Sequence, residues 1–244
     1  MALRTPEAQQ RRTPHALFLR VKRDPLPLEA GDRLTRREFE RRYNAMPQVK
    51  KAELIEGVVY MPSPVHYEGH SEPHLYIATW LGTYSIATPG ARPADNPTVL
   101  LDMDNEVQPD ALLRLEPMNG GRSHVTEKDY IEGSPELIVE VAASSASIDL
   151  RDKYNIYRRN GVQEYIVWQV YDDRIGWFQL DQGDYAPIVP DEANIIRSQV
   201  FPGLQLDVDA LLDGDMAKVI ATLQQGLQSP AHAEFVARLA QPSA

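Results

Sequence analysis

The 244-residue chain contains no cysteine. That excludes disulfides, thiolate zinc sites and thiol nucleophiles together. No run of 18 apolar residues occurs either, so no membrane-spanning helix is expected. The first 24 residues lack the apolar stretch of a secretory signal, and a cytoplasmic protein is the expectation. Neither an internal repeat nor a convincing linker divides the chain, which points to one domain. A broad cationic surface is missing as well. Net charge is −10, yet residues 1–51 carry 13 Lys/Arg against 6 Asp/Glu, while residues 52–244 carry 12 against 29. Residues 1–30, rich in Pro and Arg without period, read as a flexible basic arm on an acidic body. Such an arm either contacts phosphates or is a solvated tail.

What is present is a strand with an acid inside it. Pro135-Glu-Leu-Ile-Val-Glu-Val-Ala-Ala143 is a short apolar, β-branched run, as expected of a strand buried on both faces. Glu140 sits in its middle. A lone carboxylate in a dry strand costs several kcal/mol unless something pairs with it. Glu140 is therefore either a structural acid with a cationic neighbour, or a metal ligand or catalytic acid/base.

The surrounding pattern supplies candidates. Thr35 is a good N-cap for a short helix through Tyr43. In Lys51 to Met61, alternation places Leu54, Glu56, Val58 and Tyr60 on one side and Glu53, Ile55 and Val59 on the other. Either face brings one carboxylate inside, and Glu56 has the more apolar neighbours. Gly57 marks a possible hairpin turn. A helix is expected from about His66 or Ser71 to Ile86, with Leu75, Ala78, Trp80, Leu81 and Tyr84 inward. His66, His70 and His74 fall four apart, but Pro73 argues against a continuous helical metal face. Strands are expected at 99–104 and 106–115, the second carrying Asp110 beyond Pro109, which suggests an edge or a bulge. Residues 147–160 read as a helix closed by Gly161. Its inward stripe is Leu150, Tyr154 and Tyr157, with Lys153 at the edge of the buried face. Lys153 also stands four residues from Asp149, a spacing that suits a simple helical ion pair. A meander over 162–189 and a helical C-terminal tail, broken near Ser229-Pro230, complete the chain.

This order, with acids on successive strands, resembles the PD-(D/E)XK nuclease superfamily and within it the Uma-type family of "putative restriction endonucleases". The resemblance rests on Ala52-Glu-Leu-Ile-Glu-Gly57, Met61-Pro-Ser-Pro-Val-His66, Gln108-Pro-Asp110, Glu136-Leu-Ile-Val-Glu-Val141, Ser144-Ser145 with Asp149 and Lys153, and Tyr157 through Val167. These cover roughly residues 35–212. The resemblance implies an α+β (α/β) restriction-endonuclease-like core over 31–212, a central mixed sheet flanked by helices, and a C-terminal helical extension over 213–244. It implies a Mg²⁺- or Mn²⁺-dependent endonuclease acting on DNA, working as a homodimer. Asp110, Glu140 and the Val141 carbonyl take the ligand roles, Lys153 orients water, and Glu53 or, preferably, Glu56 is a further acid. Such chemistry needs hard oxygen ligands for the ion and a cation beside the attacking water. The standard superfamily motif puts its lysine two residues after the second acid. Position 142 is alanine, and the family's alternative position on the following helix matches Lys153. His66 matches a family histidine after a Ser-Pro turn. Two other readings remain open: a catalytically silent nuclease-fold binding or assembly module, and a metal-dependent hydrolase of a small phosphoester.

Overall fold

The computed structural model describes residues 25–61, 66–143 and 148–241. Most of the expected basic arm, Pro62 to Val65 and Ser144 to Ser147 lie outside these. The arm's described end is not loose. Leu28 is 3 % exposed and packs with Phe39, Ala52, Leu54 and Val59, so the folded body begins before residue 31.

The chain opens with α1 (Arg36–Tyr43), whose N-cap Thr35 accepts a hydrogen bond from the Glu38 N–H. Fourteen strands follow among the described residues. They are β1 (Glu53–Ile55), β2 (Val58–Tyr60), β3 (Ala91–Asp95), β4 (Val99–Leu100), β5 (Glu106–Val107), β6 (Ala111–Leu115), β7 (Ser123–Val125), β8 (Ile131–Gly133), β9 (Leu137–Ala142), β10 (Glu164–Gln169), β11 (Arg174–Asp181), β12 (Asp184–Pro187), β13 (Ile195–Arg197) and β14 (Gln205–Asp207). The helices are α2 (Glu72–Ala87), α3 (Tyr154–Asn160), α4 (Val208–Leu212), α5 (Met216–Leu227) and α6 (Pro230–Leu239).

Two mixed six-stranded sheets form, in the orders β2-β1-β5-β4-β8-β7 and β12-β11-β10-β9-β6-β3, with β13 and β14 as a separate pair. The expected central strand is β9, fully buried, parallel to β10 and antiparallel to β6. Its alternation sorts side chains between two cores. Val139 and Val141 join Trp80, Tyr84 and the C-terminal helices. Ile138 and Ala142 join Ile55, Val107, Ile156 and Tyr157, between this sheet, the first sheet and α3. By period 2, Glu140 faces that second core. The C-terminal helices begin as their sequence dictates. Asp207, Asp215 and Ser229 each accept a backbone N–H three residues on, and Pro230 opens α6, where its missing donor costs nothing.

Three expectations change. The run 106–115 is not one strand: β5 pairs in the first sheet and β6 in the second, so Gln108-Pro109-Asp110 is the crossing between sheets. Proline, lacking a donor, suits such a break in both ladders. The 99–104 strand ends at Leu100. Leu75, expected inward on α2, is exposed, and Ile77 takes the inward place.

Glu106 is 3 % exposed, and its Oε2 has no partner. Burial and then the nearby Glu40 push its pKa up to about 7, against the lowering pull of Arg36 and Lys128. A carboxyl raised in the folded state binds its proton more tightly there. Stability is therefore greatest below its ordinary range and falls as pH climbs through about 7. Glu106→Gln should match wild type in urea denaturation at pH 5 and exceed it by about 2 kcal/mol at pH 8.

Candidate active site

β1 and β2 form a hairpin with Ile55 opposite Val58, leaving Glu56-Gly57 as a two-residue turn. Both have positive φ, 51° and 73°, as such a turn requires. Strand alternation therefore stops at Ile55. Glu53 shares the face of Ile55 and looks into the core between the sheets. Glu56 does not: it is half exposed and pairs with Arg159 at 2.5 Å. Glu56, the acid expected on the inner face, thus lies outside the core and Glu53 lies within it, because the turn intervenes between the two acids.

Lys153 lies deeper than expected. Residues Asp149–Lys153 form a π-helical turn before α3. The wider turn breaks the 100° spacing, so Leu150 points out and Lys153 points in, 4 % exposed. The Asp149 side chain lies outside the described part. Lys153 Nζ lies 3.0 Å from Glu140 Oε1 and 3.1 Å from Glu53 Oε1. Tyr157 donates its hydroxyl to the same Glu140 oxygen at 2.7 Å, and Glu53 Oε1 accepts the Gln108 N–H at 2.7 Å. Each buried carboxylate is thereby countered by charge and by neutral donors.

Asp110 completes the group. One residue beyond the β6–β9 register, it lies alongside Glu140, and its Oδ2 accepts the Val141 N–H at 2.8 Å. Val141's side chain packs on the opposite core. Asp110 Oδ1 faces His70 Nε2 at 3.3 Å and Lys51 Nζ at 3.5 Å. Burial would raise the Asp110 pKa. The His70 hydrogen bond and the charges of Lys51, His70 and Lys153 outweigh it and hold the carboxyl well below its usual range. His74 Nε2 lies 2.7 Å from both the Asp110 carbonyl and Asp95 Oδ1, tying α2 to the sheet crossing.

The structure thus brings together Asp110, Glu140 and Lys153, adds Glu53, and leaves Glu56 apart. His66 is exposed at the entry to the α2 region. His70 and His74 are the histidines that lie against Asp110. Their spacing was visible, but Pro73 counted against them. In fact Pro73 falls in the first turn of α2, just after a π-helical turn over Tyr67–Ser71, so His70 and His74 lie on either side of the junction between the two. Nothing in the sequence distinguished Lys51.

The profile of the Uma2 family, described as "Putative restriction endonuclease", matches residues 36–209. The chain belongs to this family. A solved structure described as a putative nuclease belonging to DUF820, from Anabaena variabilis ATCC 29413, shares the fold. It matches with a TM-score of 0.55 and 15 % identity over 70 % of this chain and 96 % of that one. No curated protein matches the chain. No helix among the described residues is long and apolar enough to cross a membrane.

The ion cluster is open to a direct stability test. Removing the ammonium leaves two buried carboxylates facing each other, which costs about 3–5 kcal/mol for a buried pair. Lys153→Met should lose stability on that scale in urea denaturation. Lys153→Met with Glu140→Gln should lose clearly less than the sum of the two single variants.

Proposed function

We propose that the protein is a divalent-metal-dependent endonuclease hydrolysing DNA phosphodiesters at this cluster. The carrying observation is the Lys153 ammonium held between Glu53 and Glu140, with Asp110 alongside. A cation already occupies the gap between the carboxylates, and the donors are the hard oxygens that Mg²⁺ or Mn²⁺ takes. Among the described residues, no three His, Cys, Asp or Glu side chains converge as a ready-made ligand set. The fit therefore rests on the donor chemistry and the stand-in ammonium. Asp110 and Glu140, with Glu53, would hold the ion. A bound ion would polarise the phosphodiester and make a water more acidic.

The protein's own groups do the positioning. The Val141 N–H and His70 fix the two Asp110 oxygens, and the lowered pKa keeps that carboxylate ionised at neutral pH. Tyr157 fixes Glu140 from a fully buried position. Lys153 brings positive charge against the attacking water and the oxygens gaining charge at phosphorus. In the reaction, a water oxygen bonds to phosphorus as the bond to the leaving sugar oxygen breaks, and the water's proton balances that oxygen's charge.

A second reading has one observation in its favour. A lysine closed in by two carboxylates is also what a purely structural ion cluster contains, as in a silent binding or assembly module. Calorimetry with Mn²⁺ separates the two. Wild type should bind one class of ion, and Asp110→Asn should lose it; equal binding, or none in either, supports the silent module. Lys153→Ala should lower Mg²⁺-dependent cleavage of duplex DNA by on the order of 10²-fold, as loss of a transition-state donor does.

A further inference from the structure

The site holds two lysines, and their surroundings differ. Lys153 has a side chain only 5 % exposed and faces two carboxylates. Lys51, two residues before β1, has a side chain 26 % exposed. It reaches the other side of the cluster, 3.5 Å from Asp110 Oδ1, and also donates to Asn96 Oδ1 at 3.2 Å. Asn96 is itself fixed. It occupies the turn after β3 with φ 48°, and its N–H donates to the Asp110 carbonyl at 3.0 Å. The same turn therefore holds the Asp110 backbone and aims Lys51 at the Asp110 side chain.

This arrangement is more than an ion pair requires. Asp110 Oδ2 is already satisfied by Val141, and His70 faces Oδ1. The Lys51 contact is long, and its ammonium stands at the solvent side of a buried acid cluster. A flexible lysine loses rotamer freedom when fixed, and here two acceptors fix it. Lysine serves phosphate as a compact point charge. An anion approaching Asp110 from solvent meets Lys51 before it meets Lys153.

We infer that Lys51 is the residue that contacts the substrate's phosphate, whereas Lys153 holds the carboxylates and acts inside the cluster. The inference rests on the nuclease reading and assigns its substrate contact. Asn96 is the positioning residue for Lys51.

The test measures binding of a labelled mixed-sequence DNA duplex to the full chain by anisotropy, with Ca²⁺ as the divalent ion, across a salt series. Lys51→Met should weaken binding about tenfold at low salt and lower the slope of log K against log salt by about one. Lys51→Arg should keep the slope. Asn96→Gly, tolerated at that φ, should weaken binding several-fold with the charge still present. Mn²⁺ affinity and melting temperature should stay at wild-type values in Lys51→Met. Unchanged duplex affinity and slope in Lys51→Met, with wild type binding normally, overturn the inference and leave the nuclease reading standing. A parallel loss of Mn²⁺ affinity also overturns it, because Lys51 then only steadies Asp110. Wild type that binds neither duplex nor Mn²⁺ removes the nuclease reading, and this assignment with it.

Discussion

One ammonium group ties three parts of this fold together. Lys153 comes from the turn before α3, Glu140 from the middle of the second sheet and Glu53 from the first sheet, and they meet at 3.0 and 3.1 Å. None of the three is tolerable alone in that interior. An uncompensated buried charge costs several kcal/mol, so each fixes where the others must lie. Tyr157, one turn of α3 further on, adds a hydrogen bond to the same Glu140 oxygen. The packing of α3 between the sheets and the geometry of the acid cluster are therefore one constraint.

The sheet crossing supplies the rest. Because β5 and β6 belong to different sheets, Gln108, Pro109 and Asp110 are released from regular pairing at the level of Glu140. Their polar groups turn to the cluster instead: the Gln108 N–H to Glu53, and the Asp110 carboxylate to the Val141 N–H. The start of α2 closes the other side with His70 and His74. The chain belongs to the Uma2 family and shares its fold with the solved Anabaena variabilis structure.

Much of this was legible in the sequence, and the exceptions have physical causes. β9 and its acid could be read because an apolar β-branched run with one carboxylate is costly and needs a reason. Lys153 could be placed near the buried face from helical spacing. Its full burial could not, since a π-helical turn is invisible to a 100° pattern. Which of Glu53 and Glu56 lies inside is not legible, because the apolarity of neighbours says nothing across a hairpin turn. Glu56-Gly57 takes the two positive-φ positions, which only Gly57 advertised. Asp110 was found within a strand that the fold divides between two sheets. Lys51, His70 and His74 gather at Asp110 through contacts 36 to 59 residues apart in sequence, for which local pattern carries no signal.

The central claim is that the cluster of Glu53, Asp110 and Glu140 is a divalent-cation site. The most direct measurement is anomalous diffraction from crystals soaked in Mn²⁺. The account predicts a peak at coordination distance from the Asp110 and Glu140 carboxylates, with the Lys153 ammonium moved from its bridging position. A cluster without a peak, with Lys153 still bridging Glu53 and Glu140 at saturating Mn²⁺, would contradict it.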